Sequence, residues 1–214
     1  MINNYDYVIW DFNGTLLDDV QTGIRSVNKL LLDRGLKQID GVEHYRRIFR
    51  FPIIDYYRSL GFDFDKEPYE VLAPQWVELY LENVKSACLF PDVVQTLTEL
   101  REIGVRQAVI SATERKMLEK QLRELGIRQY FEEVFGLDNI HAGSKLSLAE
   151  YWRSQHPTER VLVIGDTDHD VETAKALNAD CRLVCRGHQS REHLSSLGVS
   201  VYDTLLDGFN DINL

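Results

Sequence analysis

Cysteine is scarce in this chain. Three residues among 214, Cys88, Cys181 and Cys185, make an odd count. Their spacing matches no zinc-binding pattern, and a disulfide framework needs more of them in a shorter chain. They are expected to be reduced, buried small residues of a cytosolic protein. Cations are in deficit too: 24 Lys and Arg against 34 Asp and Glu leave a formal charge of −10. No block of Lys and Arg offsets that excess, so neither nucleic acid nor an anionic membrane is expected as a partner. A local site can still oppose the net charge and accept an anionic substrate. Long apolar runs are missing, and none approaches the length of a membrane span. The stretch from Met1 to Asp11 is acidic and too short to hold a cationic region plus an apolar one. A secretory leader is therefore not expected, which points to the cytoplasm. There is no internal repeat and no low-complexity segment.

What remains is ordinary globular material, 44% apolar and 27% charged. The length suits one large domain, or a core plus a small insertion.

Tyr5 to Trp10 is a β-branched and aromatic run, and Asn13-Gly14 breaks it with turn chemistry. Helical spacing follows: Val20, Ile24, Val27, Leu30 and Leu31 share one apolar face, and Gly35 is a plausible stop. Further helices are predicted over Val42–Phe49, Pro52–Leu60 and Pro74–Val84. No strand is evident from Asp18 to about Cys88. Beyond Phe90-Pro91 the pattern alternates. Helices are predicted over Asp92–Ile103, Glu114–Leu125, Ser147–Ser154 and Val171–Leu177. Strands are predicted over Val105–Ile110, Val134–Phe135, Arg160–Ile164 and Cys181–Val184. Alternation of this kind gives a parallel sheet covered on both faces. The expected fold is α/β: a Rossmann-like three-layer core from residues 1–17 and 89–214, with a helical cap inserted at 18–88.

Ligands of an open parallel sheet bind beyond the carboxyl ends of its strands. Asp11 ends the first strand, Ser111 the second and Asp166 the fourth, with Asp170 just beyond. Lys145 follows the third strand and opens a helix. Each has a bland explanation when taken singly. Asp11-Phe-Asn-Gly-Thr15 could be a turn and helix cap, Ser111 could cap the helix near Glu114, and most lysines are solvated. The run Gly165-Asp-Thr-Asp-His-Asp170 is more telling, because three acids in five residues repel one another unless a cation lies among them.

In this order the four segments resemble the motifs of the haloacid dehalogenase superfamily, specifically its phosphoglycolate phosphatase-like and β-phosphoglucomutase-like branch. The likeness covers nearly the whole chain, and the helical insertion lies where that branch carries its cap. The resemblance implies a magnesium-dependent phosphatase acting on a small phosphorylated metabolite. Asp11 would be the nucleophile that becomes an aspartyl phosphate. Magnesium would be held by Asp11, the Asn13 carbonyl and Asp166, with Asp170 steadying its water shell or orienting Lys145. Ser111 and Lys145 would grip the phosphoryl oxygens, helped by Thr15 and by backbone N–H groups around Gly14 and Ala112.

One position departs from the family pattern. Phosphatases of this superfamily usually carry a second Asp two residues after the nucleophile, as general acid and base; here Asn13 stands there. An amide does not titrate near neutrality. Losing that role typically costs about 10²–10⁴-fold in rate. A slow phosphatase, or one whose substrates have good leaving groups such as acyl phosphates, would satisfy this. A phosphate-ligand-binding protein without catalysis is an alternative, as is a hydrolase of another bond. The acids at 166 and 170 oppose a metal-free dehalogenase, and a C–P hydrolase would need a cap lysine such as Lys29, Lys37, Lys66 or Lys85. The Asn13-Gly14 pair is also prone to deamidation, which would create the missing acid.

For substrate selection, Arg46, Arg47, Arg50 and Arg58 cluster near Phe51-Pro52. Arg50 is the candidate to bind a second anionic group such as a carboxylate, against a solvated helix face. His169 is read as a solvent-facing or indirect contributor rather than a magnesium ligand. Tyr56, Tyr57, Trp76 and Tyr80 are read as cap packing. A monomer or a small homo-oligomer is expected.

Overall fold

A computed structural model describes residues 2–137 and 145–209. The strands are β1 Tyr7–Trp10, β2 Leu17–Asp18, β3 Cys88–Leu89, β4 Arg106–Glu114, β5 Glu133–Leu137, β6 Val161–Gly165, β7 Asp180–Val184 and β8 Ser200–Tyr202. Four helices precede β3: α1 Val20–Asp33, α2 Gly41–Ile48, α3 Ile53–Ser59 and α4 Tyr69–Asn83. Six follow it: α5 Val93–Glu102, α6 Arg115–Glu124, α7 Lys145–Gln155, α8 Asp168–Ala176, α9 Arg191–Ser195 and α10 Leu205–Gly208.

Six strands form one parallel sheet in the order β5-β4-β1-β6-β7-β8. All four residues of β1 are buried, as a strand covered on both faces requires. Successive side chains point to opposite faces. Val8 and Trp10 join a cluster with Leu97 and Leu100 of α5 and Leu118 and Leu122 of α6. Tyr7 and Ile9 pack on the other side with Ala149 and Trp152 of α7 and Ala174 of α8. The α/β three-layer expectation therefore holds. β1 lies between β4 and β6, where the sheet reverses its direction of winding, so the crevice for a ligand opens at its end.

The predicted apolar face of α1 is buried as expected: Val20, Ile24, Val27, Leu30 and Leu31 pack with Tyr45, Tyr56, Tyr57 and Leu72 in a separate cluster. Burying each such side chain contributes about 1.5–3 kcal/mol. Three short strands escaped the sequence reading, β2, β3 and the edge strand β8. β2 and β3 pair antiparallel through Leu17–Leu89 and Asp18–Cys88, where the chain enters and leaves the helical segment. Two-residue strands carry no readable alternation. α4 begins at Tyr69 and not at Pro74, which lies inside it. Pro74 costs the helix one backbone donor, and Leu72, with no exposed surface, packs the turn before it into the cluster. The cysteines correct another expectation: all three are free, but Cys88 is exposed and Cys181 and Cys185 are only partly buried.

Candidate active site

The site forms where β1, β4 and β6 end. The Asp11 amide donates to the Ile164 carbonyl over 2.9 Å, which ties the first residue beyond β1 to β6. Phe12, fully buried, anchors the loop, and its carbonyl accepts from the Leu16 and Leu17 amides. Gly14 makes the turn with φ +72°, and a Cβ there would lie 2.4 Å from Asp166 Oδ2. Only glycine fits that approach.

Asp166 is held from two sides. Thr15 Oγ1 donates to its Oδ1 at 3.0 Å and the His188 amide to its Oδ2 at 2.6 Å. Gly187 leaves room for it, since a Cβ there would come within 2.0 Å of Oδ2. Asp170 closes a capping box with Thr167 at the start of α8. Its Oδ2 accepts from the Asp166 amide, the Thr167 amide and the Thr167 hydroxyl. Its Oδ1 accepts from Lys145, whose ammonium also donates to Asp11. Lys145 is the first residue of α7 and is 4% exposed.

Burial raises the pKa of Asp11. The Lys145 ammonium opposes that rise, and the Asp170 and Asp166 carboxylates reinforce it. Asp166 is likewise raised by burial and by Asp170, against the pull of His188. Burial disfavours the Lys145 cation too, but Asp11 and Asp170 outweigh it and hold its pKa above the ordinary lysine value. Asp11, Asp166 and Asp170 each place one carboxylate oxygen within 4.8 Å of the others. Three acids against one ammonium leave negative charge unbalanced in a buried space. An all-oxygen donor set with that excess suits a hard divalent cation.

Asn13 is locked in place. Its amide nitrogen donates to Asp19 Oδ2 at 2.8 Å and to the Tyr80 hydroxyl at 2.7 Å, and its oxygen accepts from Thr113 Oγ1 at 2.8 Å. Asp19 is 1% exposed and also accepts from the Gly14 amide at 2.9 Å and the Tyr80 hydroxyl at 2.6 Å. His188 Nε2 lies 3.3 Å from its Oδ1, and His188 Nδ1 meets the Tyr45 hydroxyl at 2.8 Å. Burial opposes the imidazolium, yet Asp19 raises the His188 pKa to about 9. Burial alone would raise Asp19; His188 and the hydrogen bonds hold it low instead. Asp19, Tyr45, Tyr80, Thr113 and His188 were all missed in the sequence. A readable signal existed for His188, which follows another strand end, β7. Asp19 carried only the appearance of a helix cap.

Asp11, Asn13, Ser111, Ala112, Lys145 and Asp166 line one cavity of about 300 Å³. Ser111 does not cap α6; Glu114 does, accepting from the Lys116 and Met117 amides. The Ser111 hydroxyl instead pairs with Thr113. Three expected binding groups are engaged elsewhere. The Gly14 amide is spent on Asp19 and the Leu17 carbonyl, and the Thr15 hydroxyl on Asp166. Arg50 is exposed, donates to the Ile48 carbonyl and is absent from the cavity wall. It follows the end of α2. Arg46 reaches across to the Gly187 and Arg186 carbonyls, and Arg58 pairs with Asp55. Among the described residues, Lys145 is the sole lysine of the cavity wall, so none of Lys29, Lys37, Lys66 and Lys85 is placed for imine chemistry.

The profile of the haloacid dehalogenase-like hydrolases matches residues 8–184, and the chain belongs to that family. Its relatives include the phosphoglycolate phosphatase of Synechococcus elongatus, 28% identical over 211 residues, covering 96% of this chain and 94% of that protein. The tyrosine-protein kinase PtkA of Mycobacterium tuberculosis is 27% identical over 197 residues, covering 91% and 67%. Among solved structures, the haloacid dehalogenase-like hydrolase SP0104 from Streptococcus pneumoniae superposes with a TM-score of 0.82 at 18% identity, covering 100% of both chains. At that identity the likeness establishes the fold. No described helix is long and apolar enough to cross a membrane.

Proposed function

We propose that this hydrolase is a magnesium-dependent phosphatase acting on a small phosphorylated compound through an aspartyl phosphate on Asp11. One observation carries the reading: Asp11 ends the central strand of the sheet and faces, in one cavity, the hydroxyl of Ser111, the ammonium of Lys145 and the carboxylate of Asp166. Asp11, the Asn13 carbonyl and Asp166 would hold Mg²⁺, with Asp170 behind them, and the ion would supply charge neutralisation for the incoming phosphoryl group. Residues 18–88 would form a cap that selects the leaving group. The free cysteines fit a reducing compartment such as the cytoplasm.

The chain's own groups account for the first step. Lys145 aims Asp11 and opposes the burial that disfavours its charge, and Asp170 holds Lys145. Asp11 attacks phosphorus, the ester oxygen leaves with its electron pair, and Ser111 and Lys145 bind the equatorial oxygens as charge spreads over them. Water then displaces Asp11 and releases phosphate. Asn13 can orient a leaving oxygen or a water but cannot move a proton. The test is turnover of a panel of phosphate monoesters with and without Mg²⁺, beside Asp11→Asn. Metal-dependent release of phosphate that Asp11→Asn abolishes is expected. An inert wild type would leave a phosphate-ligand-binding protein as the better reading.

A further inference from the structure

Much of the remaining lining of the cavity is aromatic. Phe49, Phe51, Tyr57, Tyr69, Trp76 and Tyr80 all contribute. These rings belong partly to the helical cluster, as expected of packing residues, but Phe49, Phe51, Tyr69 and Trp76 keep accessible surface while they line the space. Trp76 stacks on Tyr80 with centroids 4.9 Å apart and planes 21° from parallel. Phe49 meets Phe51 edge-on at 5.5 Å. Flat faces and edges in one cleft are what an additional ring packs against.

Charge points the same way. Among the described residues, no arginine lines the cavity, and its cations are Lys145 and His188. Each is already paired, Lys145 with Asp11 and Asp170 and His188 with Asp19. Two further acids, Asp19 and Glu114, line the same cavity. A leaving group bearing its own carboxylate would find no counter-charge there and two like charges.

Asn13 supplies an independent constraint. A leaving oxygen that no acid protonates must depart as an anion. A phenol ionises near pH 10, whereas an unactivated hydroxyl does so nearer to about 16, as water does. A site without a general acid therefore tolerates a phenolate far better than an alkoxide. The volume of about 300 Å³ lies at the small end of ligand sites and suits one ring and a phosphoryl group.

We infer that the substrates of this site are aryl phosphate esters, whose ring packs against the aromatic side chains of the cavity while the phosphoryl group meets Asp11. The inference rests on the phosphatase reading above and names its leaving group. In the step, the Asp11 carboxylate oxygen bonds to phosphorus and the phosphorus–aryl oxygen bond breaks. The electron pair leaves on the phenolate, which takes its proton from water. A second water then attacks the aspartyl phosphate, giving phosphate and restoring Asp11.

The experiment compares phenyl phosphate, phosphoglycolate and acetyl phosphate with Mg²⁺. Acetyl phosphate has a good leaving group and no ring, so it separates the two arguments. The value of kcat/KM for phenyl phosphate is expected to exceed that for phosphoglycolate by about 100-fold or more. In Phe49→Leu and Trp76→Leu the ratio of kcat/KM for phenyl phosphate to that for acetyl phosphate should fall about 10-fold, through KM. Thermal unfolding checks that each variant is folded. Rings that only pack would lower stability and leave the ratio unchanged, which would overturn the inference, as would a preference for phosphoglycolate. Binding of phenylphosphonate, methylphosphonate and phosphonoacetate by calorimetry decides the case where nothing turns over. Phenylphosphonate binding about 10-fold tighter than both would sustain the ring site while the phosphatase reading falls; equal affinities would remove both.

Discussion

The side-chain amide of Asn13 donates to the carboxylate of Asp19 across 2.8 Å. An aspartate at position 13 would place a second carboxyl against a buried carboxylate, and two such groups at that distance share a proton. Asn13→Asp therefore builds a protonated acid beside the leaving group. We expect phosphate release from an alkyl ester to rise by about 10²–10⁴-fold. In the wild type, release of the leaving group should show a burst, with phosphorylated Asp11 accumulating before the slow water attack. Quenched-flow kinetics with mass spectrometry of the acid-trapped protein would show both. Equal rates in the two proteins would mean that Asn13 is not at the leaving group.

Removing the charge of Asp19 strands His188. Asp19→Asn keeps the shape but leaves a buried imidazolium without its partner, a loss of about 3–5 kcal/mol. For a chain of this size that lowers Tm by roughly 6–20 °C. The double variant Asp19→Asn/His188→Gln should recover part of the loss, because no charge is left unpaired. A single variant within 2 °C of wild type would refute the pairing.

Divalent cations should stabilise the fold. Binding to the folded state alone adds about 2.7 kcal/mol at 100 times Kd. Differential scanning fluorimetry should show a rise in Tm with Mg²⁺ that EDTA reverses. Asp166→Ala should abolish the rise while retaining the fold. A rise that survives in Asp166→Ala would place the ion elsewhere.

Arg186 donates from Nη1 to both carboxylate oxygens of Asp92 at 2.6 and 2.8 Å, lies 4.0 Å from the centroid of Phe90 and donates from Nη2 to the Thr15 carbonyl. Asp92 also accepts from the Leu205 amide. Both partners are well shielded from water, with side-chain exposures of 13% and 9%. Asp92→Ala should cost about 3–5 kcal/mol and loosen the loop after β1, so activity should fall along with urea stability. Arg50→Ala should change neither, and a raised KM for carboxylated substrates in that variant would restore Arg50 to the site.

The sheet and the four strand-end motifs were legible in the sequence because they rest on local rules. Runs of β-branched residues stop at Gly and Asp, and α1 declares its buried face at three-to-four spacing. The long-range partners were not. Nothing local couples Asp19 to His188, 169 residues apart, or Tyr80 to Asn13. Their meeting depends on where the helical segment folds back. Arg50 was misjudged for the same reason: its spacing from Arg46 gave a helix face, whereas the carbonyls of Arg186 and Gly187 decided which arginine turns inward. The Gly14 amide was misjudged because nothing local marks Asp19, five residues on, as its acceptor.

β1 pairs in register with both β4 and β6: Trp10 lies opposite Val109 on one side and Ile164 on the other. Asp11, Ser111 and Asp166 each follow their paired strand residue by one or two positions. A slip of one residue would turn Asp11 to the opposite face of the sheet. The alignment of the reacting groups is thus set by the hydrogen-bond ladder some distance below them. Substitutions deep between the strands, touching no ligand, should surface in a genetic screen as losses of activity in proteins that still accumulate normally.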